Sequence, residues 1–188
     1  VFKRELENAG IIHLALHGLI DEKNPMLSKL VFSESDKSND DGLLNMYEIF
    51  NLKINLDLLV LSACNTGFGN YKSGEGIISF ARSFIYAGCP SLVMTLWPIN
   101  DISGSQVMLE FYSYLSNSQP KDEALRFAKL DYLKHSDPTK THPYFWAGYV
   151  NMGETSNFTL QQNEKKYYAY VPVFLLFFAI IWFFFKKR

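Results

Sequence analysis

The chain has 188 residues, 48% of them hydrophobic and 20% charged, enough for one ordinary domain with an appendage and too apolar for a disordered polymer. With 18 basic against 19 acidic residues its formal net charge is −1, so no sign-biased field is present to hold a nucleic acid. Two cysteines, Cys64 and Cys89, exclude a disulfide framework, a CxxC redox pair and a cysteine zinc cluster.

The chain opens on VFKRELENAG without a start Met or a signal peptide, which reads as a piece of a longer protein. Short apolar runs then alternate with stretches of helical period, the pattern of an α/β protein whose parallel strands are covered on both faces. Strands are predicted over Ile11 to Leu16, Lys29 to Phe32, Leu56 to Leu61, Ser91 to Leu96 and Trp146 to Asn151. Residues 33–42 (SESDKSNDDG) read as a polar loop and Leu43 to Phe50 as a short helix. From Gly74 to Ala87, apolar residues at steps of three and four predict an amphipathic crossover helix, and Gly88 follows as its left-handed cap. Two more helices are predicted over Ser103 to Leu115 and Asp122 to Lys134, separated by a turn at Asn117 to Pro120.

The C-terminal region changes character. Residues 156–166 are polar and aperiodic, as in a linker. Tyr167 to Phe185 is an uncharged apolar run of 19 residues. At 1.5 Å per residue it would cover about 28 Å, close to a bilayer core. Tyrosines at its start and the basic tail 186–188 at its end suit membrane interfaces. The expectation is a single-pass C-terminal membrane anchor, with the charge balance only slightly favouring a cytoplasmic C-terminus.

His17 and Cys64 occupy equivalent places, each just beyond an apolar strand and each followed by glycine (LALHG and LVLSACNTGFG). Parallel strands end on one edge of their sheet, where such folds bind ligands. Two residues 47 apart can therefore meet as a thiol beside an imidazole, a nucleophile beside a base. A backbone N–H next to Gly18 could face a developing oxyanion. Spacing alone equally allows a buried structural thiol and a packed histidine. Cys89, between a helix and a strand on the opposite edge, reads as a packing residue, and His13 as a residue packed within its strand. His135 and His142 show no ligand pattern, and no metal or cofactor is expected. Glu75 and Asp101 fall near the active edge, where either could receive a basic side chain, with Trp97 as an apolar wall. Glu75 could instead complement a helix N-terminus, and Asp101 could cap the helix that begins near Ser103.

HLALHG, LVLSACNTGFG, GEGIISFARSFIYAG, SLVMTLWPIND and HPYFWAGYVNMG, in that order over Ile11 to Gly153, resemble the CHAT domain family, caspase-like proteins often fused to tetratricopeptide (TPR) repeats. The resemblance implies a caspase-like α/β/α sandwich with a mostly parallel sheet, its N-terminal strands missing from this fragment, to which the apolar run adds a C-terminal transmembrane helix. Together with the composition of the C-terminal region this gives a domain over residues 1–155, and the composition itself a linker over 156–166, a membrane helix over 167–185 and a basic tail over 186–188. It assigns the base to His17, the nucleophile to Cys64 and oxyanion stabilisation to the backbone around Gly18. Departures from the family pattern are Leu16, where a small polar residue is common, and Asn65, where an acidic residue usually follows the cysteine. The expected function is a membrane-anchored cysteine endopeptidase acting on a protein or peptide substrate, with Asp101, Glu75 and Trp97 in the substrate pocket and an upstream TPR or other regulatory domain. The alternative is a catalytically idle caspase-like scaffold or interaction module. Substrate identity, the activating signal and oligomeric state are not legible.

Overall fold

In the computed structural model the chain divides into Val1–Phe158 and Thr159–Arg188. The structure describes residues 2–6, 9–21, 23–33, 41–62, 71–72, 76–77 and 80–157. A short helix α1 (Phe2–Glu5) leads into strands β1 (Ile11–Leu14), β2 (His17–Leu19), β3 (Lys29–Val31) and β4 (Leu43–Asn45). Helix α2 (Met46–Ile49), strand β5 (Leu58–Leu61), the short pair β6 (Tyr71–Lys72) and β7 (Gly76–Ile77), and helix α3 (Phe80–Tyr86) follow. Strand β8 (Ser91–Thr95), the long helices α4 (Asp101–Ser116) and α5 (Lys121–His135), and strand β9 (Tyr149–Gly153) complete the order.

The main sheet runs β1-β5-β8-β9. β1, β5 and β8 are parallel, and β9 returns antiparallel to β8. In β5 and β8 all nine side chains are buried. Their alternation divides the interior: Leu59, Leu61, Leu92 and Met94 pack with α2 and α3, whereas Leu58, Val60 and Val93 pack with α4 and α5. Strands apolar on both faces are what a sheet covered by helices on both sides requires. The resulting three layers match the expected caspase-like α/β sandwich.

Several boundaries differ from the sequence reading. The run Ile11 to Leu16 is interrupted after Leu14, because the chain leaves the main sheet and β2 pairs antiparallel with β3 instead. Lys29–Val31 therefore belongs to a separate antiparallel sheet, β2-β3-β4. Leu43–Asn45 is a strand of that sheet rather than helix, and the helix begins only at Met46. There the Glu48 carboxylate accepts from the Asn45 N–H at 2.9 Å, the capping-box arrangement that starts a helix at this point. The final strand starts at Tyr149 rather than Trp146, since Pro143–Phe145 forms a 3-10 turn. Gly88 ends α3 at a φ of +107°, as expected of the cap.

The expected transmembrane helix is corrected. Among the described residues no helix is long and apolar enough to cross a membrane. A crossing takes about 20 consecutive apolar residues, and α4 and α5, 16 and 15 residues long, carry charged and polar side chains on their outer faces. Residues 167–185, on which the expectation fell, lie outside the described residues. The fold class is thus a caspase-like α/β sandwich, and the single-pass C-terminal anchor is not upheld as its localisation.

Closure of the edge strand depends on Gly153. Its φ is +89°, and a Cβ there would lie 2.3 Å from the Pro90 carbonyl oxygen, a backbone atom that cannot swing away. Gly153→Ala is expected to destabilise the domain by at least about 2 kcal/mol, a positive-φ penalty with a steric clash added. Denaturant unfolding checks this; unchanged stability would refute the constraint.

Candidate active site

The C-terminal ends of β1 and β5 are paired in register, with Leu14 opposite Leu61. The pairing runs on past the strands, as the Ser62 N–H donates to the Leu14 carbonyl at 2.8 Å. His17 is the third residue beyond Leu14, and position 64 is the third beyond Leu61. Cys64 and Glu75 both lie outside the described residues, as do their side-chain surroundings.

His17 opens β2 and is exposed. Opposite partners in an antiparallel sheet share a face, so His17, Val31 and Leu43 stand in one row. On the reverse face Gly18 stands beside Leu30 and Leu44, both buried in the core. The backbone pattern places Gly18 further. Met46 N–H donates to the Ser28 carbonyl and Phe32 N–H to that of Gly42, so even-numbered residues of β3 bond toward β4. Lys29 and Val31 then bond toward β2 at Leu19 and His17, which leaves the N–H and C=O of Gly18 directed away from β3 at the sheet's free edge.

On the other side of β5 the edge is built by β8, α4 and β9. Asn100 caps α4, its side chain accepting from the Ser103 N–H at 3.3 Å. Asp101 is therefore not the cap; it is the first helical residue, exposed, where a carboxylate also suits the helix dipole. The Tyr149 hydroxyl lies 3.1 Å from Ser62 Oγ. Burial, opposed by that hydrogen bond and reinforced by the charge of Asp101, raises the Tyr149 pKa. The Asp101 carboxylate thus acts electrostatically on a phenol that is itself bonded to the residue just after β5. Trp97 is half-buried, and its indole N–H donates to the Tyr144 carbonyl at 2.9 Å, which fixes the ring as part of this wall.

The remaining cysteine and histidines resolve into structural roles. Cys89 is buried, its thiol donates to the Ser91 carbonyl at 3.1 Å, and burial raises its pKa; such a thiol is a poor nucleophile. His142 caps the 3-10 turn by accepting from the Tyr144 N–H, and His135 Nδ1 lies 2.9 Å from the Asp131 carbonyl. His13 lies within β1, as expected, with its ring packed against Tyr112 and Nδ1 3.0 Å from the Tyr112 hydroxyl, while its other side reaches solvent at the edge strand. Two residues missed by the sequence reading are Ser62 and Tyr149: each lies inside a motif quoted for other residues, and only the return of β9 brings them together. Among the described residues no group of three or more His, Cys, Asp or Glu could hold a metal.

Three parallel strands packed on both faces, with His17 three residues beyond the C-terminal end of β1, fit a caspase-like α/β domain. The chain belongs to the CHAT domain family, whose family model matches residues 1–154. It is also similar to tetratricopeptide repeat protein 28 of Mus musculus and of Homo sapiens, at 27% identity over 111 residues in each case. The similarity spans 59% of this chain but only 4% of those proteins' length.

The environment of His13 gives a pH dependence. Partial burial lowers its pKa below the ordinary value of 6.5, so the unfolded chain binds this proton more readily than the folded one. The contribution is fully present above pH 6.5 and is lost as pH falls through the lower folded value. His13→Gln should flatten the loss of stability below that pH. Parallel unfolding curves for the variant and parent between pH 7 and 5 would show that His13 carries none of it.

Proposed function

We propose that this domain is a cysteine endopeptidase acting on a protein substrate, with Cys64 as nucleophile and His17 as base. The observation that supports it most is the β1–β5 register: Leu14 is paired with Leu61, and His17 and Cys64 each come three residues later in the sequence, at the edge where α/β sheets bind ligands. A neighbouring imidazole favours the Cys64 thiolate, and the thiolate attacks the scissile carbonyl carbon. Negative charge then develops on the carbonyl oxygen, for which the Gly18 N–H at the free edge of β2 is a donor that the sheet does not use. The imidazolium of His17 gives its proton to the leaving amine as the C–N bond breaks, leaving an acyl-thioester. Water, losing a proton to His17, attacks that thioester; the carboxylic acid leaves and the thiol is restored.

Asp101 and Trp97 are proposed to receive a basic side chain of the substrate, with Glu75 as a second carboxylate in the pocket. A lysine or arginine stem can lie along an indole while its head pairs with a carboxylate. The relatives' name places tetratricopeptide repeats in those proteins, and we propose that this domain likewise works beside such repeats, which would present substrate or a regulatory signal.

Cys64→Ala and His17→Ala should each abolish cleavage with the fold retained, whereas Cys89→Ala should keep it, all read with a panel of fluorogenic peptides and thermal unfolding. A Cys64→Ala protein that cleaves fully would sink the assignment. A parent that neither cleaves nor reacts at Cys64 with a peptidyl electrophile would favour the idle scaffold.

For the pocket, Asp101→Asn should lower kcat/KM for peptides with a basic residue before the scissile bond by about tenfold, the scale of one lost charge partner at an interface. Neutral peptides should change much less. Equal losses for both would make Asp101 a structural residue of the helix start, not a selector.

A further inference from the structure

Two glycines stand where the turn from Trp97 to Asp101 meets the rest of the domain, and neither is there for its backbone. Among the described residues the glycines at positive φ are Gly42, Gly88 and Gly153, so Gly104 and Gly148 hold conformations open to other residues. What each supplies is the absence of a side chain. A Cβ at Gly148 would lie 2.9 Å from Ile99 Cδ1, and 3.0 and 3.1 Å from Cε2 and Nε1 of Trp97. One at Gly104 would lie 3.0 Å from the Tyr149 hydroxyl and 3.6 Å from Ile99 Cγ2. The end of Ile99 can rotate away, but the indole is rigid and its N–H is held by the Tyr144 carbonyl. Gly148 is held as well, because its carbonyl accepts from the Leu96 N–H at 2.9 Å and extends the β8–β9 ladder one pair beyond Thr95 and Tyr149. A backbone that cannot retreat thus meets a ring that cannot bend, with no room for a methyl group between them.

We infer that Gly148 is a positioning residue that determines substrate specificity: the side chain it lacks is the space that lets the Trp97 indole stand where a lysine or arginine stem of the substrate lies along it toward the Asp101 carboxylate. The inference rests on the peptidase reading and its basic-residue pocket, and adds the residue that sets the pocket's width. The two walls are held from different sides. Asp101 is the first residue of α4, fixed behind the Asn100 cap, and its carboxylate acts electrostatically on Tyr149. Trp97 abuts Gly148. The walls therefore flank consecutive residues at the start of β9, and a methyl group at position 148 displaces the indole while the Asn100 cap keeps the start of α4 in place. Gly148 is buried and acts through the ring, so it changes which side chain fits and leaves the reacting groups alone. A cation is attracted to an aromatic ring only at close range, which makes the position of that ring the quantity that selects a basic substrate.

The test compares, in the full chain, fluorogenic peptides with arginine, lysine or leucine before the scissile bond. Gly148→Ala should lower kcat/KM for the two basic peptides by about fivefold, the scale of a weakened cation–aromatic contact, with the change carried by KM. The leucine peptide should lose much less. In a Trp97→Ala background, where the ring is gone, adding Gly148→Ala should cost no further selectivity. Gly148→Ala paired with Ile99→Val removes the Cδ1 atom of the closest contact, keeps the test open if the single variant unfolds in a thermal melt, and should show the same loss confined to basic peptides. Equal loss on all three peptides, no loss on any, or a loss undiminished in the Trp97→Ala background would overturn the role of Gly148 while cleavage that requires Cys64 keeps the peptidase reading. A parent that cleaves all three peptides equally well would overturn the basic-residue pocket together with this inference, and a parent that cleaves none would overturn the peptidase reading as well.

Discussion

The parallel pairing of β1 with β5 is the constraint on which the rest of the molecule depends. β5 is fully buried from Leu58 to Leu61, and burial of each such side chain contributes on the order of 2 kcal/mol. Because both faces of β5 are apolar, face polarity cannot fix its register as it does in half-exposed strands. The ends do so instead. The N–H groups of Asp57 and Leu58 converge on the Gly10 carbonyl before the pair, and Ser62 donates to Leu14 after it. A slip of one residue would break these bonds and shift Ser62 relative to Leu14.

From that pairing the chain diverges in a way that separates support from access. After Leu14 it leaves the main sheet, so His17 is presented on a second, smaller sheet rather than at the tip of a buried strand. The small sheet is anchored by Leu30 and Leu44 in the core beneath it. Among the described residues its outer face and its edge at Gly18 remain open, so the same three residues of β2 carry a side chain toward solvent, a backbone donor at an edge and an apolar neighbour.

The far half of the edge is held by different means. β9 is one of the two edge strands of the main sheet, and exposed edges invite unwanted pairing. Lys129 reaches from α5 to the Tyr149 carbonyl at 2.5 Å, placing a charged side chain on that backbone. The Tyr149 ring meanwhile packs in the core with Val107, Phe111 and Ala128 as its hydroxyl meets Ser62. One residue therefore ties β9 and the helices to the residue after β5, and places the carboxylate of Asp101 within electrostatic reach of that junction.

Local sequence determined the elements whose physics is local. The apolar runs of β5 and β8, the helical periods of α4, α5 and of α3 from Phe80 on, the positive-φ glycine after α3 and the burial of Cys89 all follow from neighbours a few residues apart, whereas Gly76–Ile77, inside the span read as helix, pairs as β7. The order of apolar runs also predicted that β1 and β5 end on one edge, since parallel strands must end together. Tertiary structure decided what depends on distant partners: that the run ending at Leu16 breaks so β2 can pair with β3, that Leu43–Asn45 becomes a strand, that Asn100 rather than Asp101 caps α4, and that Tyr149 meets Ser62. A three-residue strand has no period long enough to be read, and a tyrosine in an apolar run carries no sign of the hydroxyl 87 positions away. Such features arise only when the completed sheet supplies the hydrogen-bond partners that a short segment cannot supply for itself.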